Sequence, residues 1–129
     1  MDLNRNNRFK ILIVDDVPKN IQVAASILQS DSYHIAFAQD GPTALSQVES
    51  NRFDLILLDI MMPQMDGFEV LERLKGNPDT AGIPVIMLTA RKSREDMEKA
   101  RNLGAVEYIT KPFKAIEVVD KVLRHVGQS

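Results

Sequence analysis

The stretch Leu55–Gly67 reads LILLDIMMPQMDG. Its four leading apolar residues have no polar partner between them, as in a strand buried on both faces of a sheet. The run ends on a carboxylate, Asp59, and passes into a methionine-rich loop that contains Pro63 and Gly67. A buried strand that delivers an acid to its own tip needs a chemical reason, and the rest of the chain supplies it.

The chain has 129 residues, enough for one domain with its own core. The reading places this domain at residues 9–126, after a loose segment 1–8 and before a short tail 127–129. Hydrophobic residues make up 44% and charged residues 26%, a balance typical of soluble globular chains. No apolar run approaches the roughly 18 residues of a membrane span. The start, MDLNRNNRF, lacks the apolar core of a signal peptide. A cytoplasmic location without membrane attachment is the expectation. The absence of cysteine excludes disulfides, thiolate metal sites and thiol chemistry. With a net charge of −2 there is no basic field to hold nucleic acid, so direct nucleic acid binding is not expected.

Working outward from Leu55, five short apolar runs alternate with five amphipathic stretches. The runs are FKILIV (9–14), YHIAFA (33–38), DLILLD (54–59), VIMLT (85–89) and VEYIT (106–110). Between them apolar residues recur at helical spacing: Ile21, Ala24, Ala25 and Leu28; Leu45 and Val48; Phe68, Leu71 and Leu74; Met97, Ala100 and Leu103; Ile116, Val119 and Leu123. Strict alternation of strand and helix implies right-handed crossovers and a parallel sheet covered on both faces. Helix punctuation agrees: Asp40 before Gly41-Pro42, a capping box of Ser93 with Asp96, Asp66 as a further cap, and Gly104 as a stop. The first, third and fourth runs are the most continuously apolar and belong in the centre. The second and fifth carry His34 and Glu107 and suit the edges. The expected fold is α/β, a flavodoxin-like doubly wound sheet of five parallel strands in the order 2-1-3-4-5.

In such a sheet, ligands bind beyond the carboxyl ends of the strands, where the winding reverses. The first strand delivers Asp15 and Asp16 there, the third Asp59, the fourth Thr89, and Lys111 follows the fifth. Three crowded carboxylates repel one another unless a cation sits among them. Oxygen ligands without His or Cys favour magnesium. Lys111 offers a point charge and Thr89 a hydroxyl, both suited to phosphoryl oxygens. A carboxylate nucleophile, a metal, a lysine and a hydroxyl together describe phosphoryl transfer to an aspartate. Singly, each has a plain structural reading: a solvated turn, strand propensity, a surface loop. Their arrival at one sheet edge is what carries the chemistry.

At this point the chain resembles the receiver domain of two-component response regulators, over roughly residues 9–126. The resemblance rests on ILIVDD, LDIMMPQMDG, MLTA and YITKPF, in that order. It implies that Asp59 accepts the phosphoryl group and that Asp16 binds magnesium directly, with manganese as a substitute. Asp15 would help through water, and the backbone carbonyl of Met61 would complete the protein ligands. Thr89 and Lys111 would contact the phosphoryl group, and Tyr108 would be the aromatic that changes rotamer on activation. It also implies a cis peptide before Pro112, and tuning of dephosphorylation by Met61 and Arg91. The implied partners are a histidine kinase or a histidine phosphotransfer protein, a downstream output domain or protein, and a phosphorylation-dependent second copy.

Finer features narrow the type. Asn20 stands where receivers of hybrid kinases often carry asparagine, although near a helix start it also suits local backbone bonding. Val106-Glu107 and Lys121 depart from the residues usual in winged-helix regulators. Met62 and Met65 read as core filler under the loop. His34 reads as a strand residue and His125 as a cation suited to a helix C-terminus. A dehalogenase-type phosphatase would need a second Asp at position 61. A flavin or nucleotide module would need a Gly- or Ser/Thr-rich cradle where Asp15 and Asp16 stand. A degenerate scaffold receiver is excluded by the intact acceptor set. The resulting expectation is a signalling switch and not an enzyme acting on a separate substrate.

Overall fold

The computed structural model describes residues 8–90 and 93–126. Strands β1 (Phe9–Val14), β2 (Tyr33–Ala38), β3 (Leu55–Asp59), β4 (Val85–Thr89) and β5 (Glu107–Thr110) alternate with helices. The helices are α1 (Pro18–Ile27), α2 (Gly41–Ser50), α3 (Gly67–Gly76), α4 (Arg94–Asn102) and α5 (Ala115–Val126). All neighbouring strands are parallel and their order is β2-β1-β3-β4-β5, as expected. Among the described residues no helix is long and apolar enough to cross a membrane.

Every residue of β3 and β4 is buried, because helices cover both faces of the sheet. Alternate side chains feed two cores. On one face Leu12, Val14, Ile56, Leu58 and Met87 pack with Ala44 of α2, Phe68, Leu71 and Leu74 of α3, and Ala100 of α4. On the other, Ile11, Ile13, Leu55, Leu57, Ile86 and Ile109 meet Ile21 and Ala24 of α1 and Val118, Val122 and Val126 of α5. This period of two is the pleat expressed as packing.

Capping follows the expected residues. Asp40 accepts from Thr43 N at 2.7 Å, Asp66 from Glu69 N at 3.0 Å, and Ser93 from Asp96 N at 3.3 Å. Gly104 ends α4 with φ +107°, a left-handed conformation that suits glycine. Beneath it lies the stem of Lys75, whose ammonium donates to Ala81 O (2.9 Å) and Ile83 O (2.7 Å). Burial holds that ammonium below its ordinary pKa.

Three expectations need correction. Strand β3 starts at Leu55, one residue late, because Asp54 is exposed and turns its carboxylate to Lys10 N at 2.7 Å. Strand β5 starts at Glu107; Val106 bonds Val85 O at 2.9 Å, yet its side chain is left at the surface. The third concerns α5. Ile116, Val119 and Leu123, expected as its inward stripe, are 87%, 38% and 58% exposed, whereas Val118, Val122 and Val126 are buried. The helix carries two apolar stripes at the same spacing, and only docking on the sheet selects one. The segments 1–7 and 127–129 lie outside the described residues, as does Arg91.

The corrected face is directly testable. Val122→Ala should lower unfolding free energy by about 2 kcal/mol through lost burial and a residual cavity. Leu123→Ala should change it by less than ~0.5 kcal/mol, as surface substitutions do. Urea unfolding of the two variants decides, and equal losses would refute the assignment.

Candidate functional site

The carboxyl ends of β1, β3 and β4, together with the residue after β5, converge at the switch point. Asp15 is fully buried, Asp59 is 3% exposed and Thr89 is 3% exposed. Asp16, Lys111 and Tyr108 are half-buried. Oxygen atoms from Asp15, Asp16 and Asp59 lie within 4.8 Å of one another. The sequence-derived trio is therefore brought together in space.

Lys111 reaches into this acidic group from the end of β5. Its Nζ donates to Asp59 Oδ1 at 3.0 Å and ion-pairs with Asp15 Oδ2 at 2.8 Å. Its backbone N–H bonds Thr89 O at 2.7 Å, and the Lys111–Pro112 peptide is cis. Burial opposes the Lys111 charge, but the two carboxylates outweigh it and hold the ammonium above its ordinary pKa. For Asp59 burial is the largest influence, followed by repulsion from Asp15; Lys111 opposes both and Asp16 adds a little. The outcome is a carboxyl pushed up to about 6.

Asp15 is held by partners that sequence reading did not identify. Its Oδ1 accepts from Val17 N at 2.9 Å and Asn20 Nδ2 at 3.4 Å. Asn20 thus faces the acidic group from the first turn of α1; the sequence marked the position but offered only local backbone bonding as its contact. The second oxygen, Oδ2, is buried with no aligned hydrogen-bond donor among the described residues, although Lys111 lies beside it. Three carboxylates with oxygens this close, in an all-oxygen set, fit a hard divalent cation.

The loop after Asp59 is fixed by close approach. Gly67 N donates to Ile60 O at 2.8 Å, and a Cβ on Gly67 would collide with the Asp59 carbonyl oxygen and Ile60 Cα. Gln64 takes up the turn with φ +69°. Met62 is buried in the core and Met65 packs beside Gly41, as the filler reading expects. Met61 is different: it is 61% exposed. A cleft of about 1030 Å³ lies at the opposite end of the sheet, and none of the site side chains lines it.

The two histidines also separate. His34 is exposed on edge strand β2. His125 has a partner unforeseen in the sequence, Glu107 Oε2 at 3.1 Å, across from the last turn of α5.

Fold and site together define a doubly wound α/β protein with an acidic, lysine-bridged pocket at its switch point. A model of the response regulator receiver domain family matches residues 11–123, and the chain belongs to that family. Phosphorylation-dependent signalling in two-component systems is the general function of these domains, and they generally bind magnesium at an acidic pocket. Among curated relatives, response regulator PleD of Caulobacter vibrioides is 40% identical over 113 residues, 88% of this chain and 25% of PleD. Transcriptional activator protein IrlR of Burkholderia pseudomallei is 42% identical over 113 residues, 88% of this chain and 48% of IrlR. The chain thus spans between a quarter and a half of these relatives. The receiver domain of sensor histidine kinase PA1611 from Pseudomonas aeruginosa, solved with magnesium in its active site cleft, superposes with a TM-score of 0.85. That match has 31% identity and covers 94% of this chain and 99% of the other.

The raised Asp59 carboxyl has a consequence for stability. An acid whose folded pKa exceeds its unfolded value destabilises the fold once it ionises. The penalty grows as pH rises from about 4 to about 6 and then levels off. In chelator, the advantage of Asp59→Asn over wild type should therefore be small at pH 4 and full above pH 7. Urea unfolding across this range measures it, and a difference that is flat or reversed would refute the burial and repulsion account. Gly67→Ala should be destabilising by roughly 1–3 kcal/mol, because backbone and not a flexible side chain blocks the new methyl.

Proposed function

We propose that this chain is a phosphorylation switch in which Asp59 accepts a phosphoryl group from phosphohistidine. The partner is a histidine kinase or a histidine phosphotransfer protein, and the unit concerned is residues 9–126. The observation that carries the reading is the placement of a nearly buried carboxylate at the tip of β3, beside two further acids and one lysine. A carboxylate oxygen of Asp59 attacks phosphorus in line, the P–O bond forms as the P–N bond breaks, and the histidine of the partner leaves. Rigid β3 and the Gly67 contact behind it hold the nucleophile in place, as positioning chemistry requires.

Asp15, Asp16, Asp59 and the Met61 carbonyl are the groups that would hold magnesium. When bound, magnesium neutralises negative charge developing on the transferred oxygens. Lys111, already paired with Asp59, turns to the phosphoryl oxygens, and the Thr89 hydroxyl is drawn to them. The segment after β4 follows Thr89, Tyr108 packs further inward, and the face made by α4, β5 and α5 changes. Moving such an equilibrium from 1:99 to 99:1 takes about 5.5 kcal/mol of preference, part of which new charge-assisted hydrogen bonds to phosphate provide. The exposed Met61, two residues after Asp59, is a candidate to set the phosphoryl lifetime. The altered face acts on an output domain or protein in the cytoplasm, or on a second copy of the chain.

Incubation with acetyl phosphate and magnesium should add one phosphoryl group that hydroxylamine removes. Chelator should prevent the addition and Asp59→Asn should abolish it, as read by intact mass. Full labelling of the Asn variant would overturn the acceptor assignment.

A further inference from the structure

From the contacts of β5 with α5 we infer that Lys121 is a positioning residue for Tyr108 and sets how readily the phosphoryl signal moves that ring. The inference rests on the reading of Tyr108 as the mobile aromatic. Strand β5 is an edge, so its outward carbonyls have no strand partner. Lys121 supplies one: its Nζ donates to Tyr108 O at 2.7 Å. The same ammonium lies 5.3 Å from the centroid of the Tyr108 ring, within range of a cation–π attraction. It also bonds Glu117 Oε2 at 3.2 Å and stands 3.9 Å from Glu107 Oε1. With its side chain only 18% exposed, Lys121 does not behave as a freely moving surface lysine.

These contacts divide into two kinds. The bond to the Tyr108 carbonyl is to main chain and persists whichever rotamer the ring adopts. The attraction to the ring face exists only while the ring stays near the ammonium. A contact biases an equilibrium only by the difference it makes between the two states. The ring contact therefore holds Tyr108 in its present rotamer, and the backbone contact keeps the ammonium where it can do so. Glu107 is tied separately to α5, through Arg124 at 3.4 Å and His125 at 3.1 Å, so the strand itself stays anchored when Lys121 is changed.

The test uses beryllofluoride with magnesium as the phosphoryl mimic and fluorotyrosine NMR as the readout. The chain has two tyrosines, and Tyr33 at the start of β2 serves as internal reference. Lys121→Met keeps the stem and removes the charge. It should lower the beryllofluoride midpoint for the Tyr108 resonance by at least roughly two- to fivefold, the lower end of the range for cation–π contacts. Lys121→Arg retains a cation that can stack on the ring and should stay at or above the wild-type midpoint. In a Tyr108→Leu background, where the charge has no ring to hold, Lys121→Met should leave the midpoint unchanged by calorimetry. An unchanged or raised midpoint in Lys121→Met, or an equal shift in the Leu background, overturns the proposal. A wild-type Tyr108 resonance that does not move at saturation removes the reading of Tyr108 as a switch, and the proposal with it.

Discussion

One ammonium ion among three carboxylates is the interaction on which the site depends. Lys111 spans Asp15 at 2.8 Å and Asp59 at 3.0 Å, in a place where neither acid has appreciable contact with water. Without that cation, two buried carboxylates would face each other across the β1–β3 pair, and removing such charges from water is expensive. Even with it, Asp59 remains strained toward its neutral form. A carboxylate that is poorly solvated and partly repelled gains from any cation brought beside it.

The remainder of the architecture serves that point. Both faces of β3 are covered, so its tip cannot wander, and Gly67 packs directly against the backbone of Asp59 and Ile60. Asp15 is oriented by Val17 N and Asn20, both at the start of α1. The capped helices α2, α3 and α4 each follow a strand whose carboxyl end lies at this edge. Rigidity is thus concentrated under the acids. On the far side of the site, α4 buries only Ala100, and β5 is a four-residue edge whose Tyr108 is held from α5 by Lys121. A stiffly held carboxylate beside a thinly packed face is an arrangement in which a local charge change can select between two packings.

Membership of the receiver family explains why the acids, the hydroxyl and the lysine were legible together. Continuous apolar runs identified the central strands and alternation identified the edges, because exposure on one or both faces leaves different patterns. Cap residues were legible for the same local reason: Asp40, Asp66 and Ser93 act on amides only three positions away. The site residues were legible because each lies at the end of a readable strand, and strand ends meet at one edge once the order is known.

What the sequence by itself determined was therefore the set of elements, their order and the residues placed at the carboxyl edge. What only the tertiary structure decided were choices between equivalent local patterns and contacts across long separations. On α5, the stripe of Val118, Val122 and Val126 and the stripe of Ile116, Val119 and Leu123 have nearly the same spacing. Only docking on β3 and β5 buried the first and exposed the second. The ties from Lys111 to Asp15, His125 to Glu107 and Lys121 to the Tyr108 carbonyl belong to the same class. Periodicity is a local property with a fixed range, whereas the partner of a charged side chain is set by which elements the sheet brings side by side.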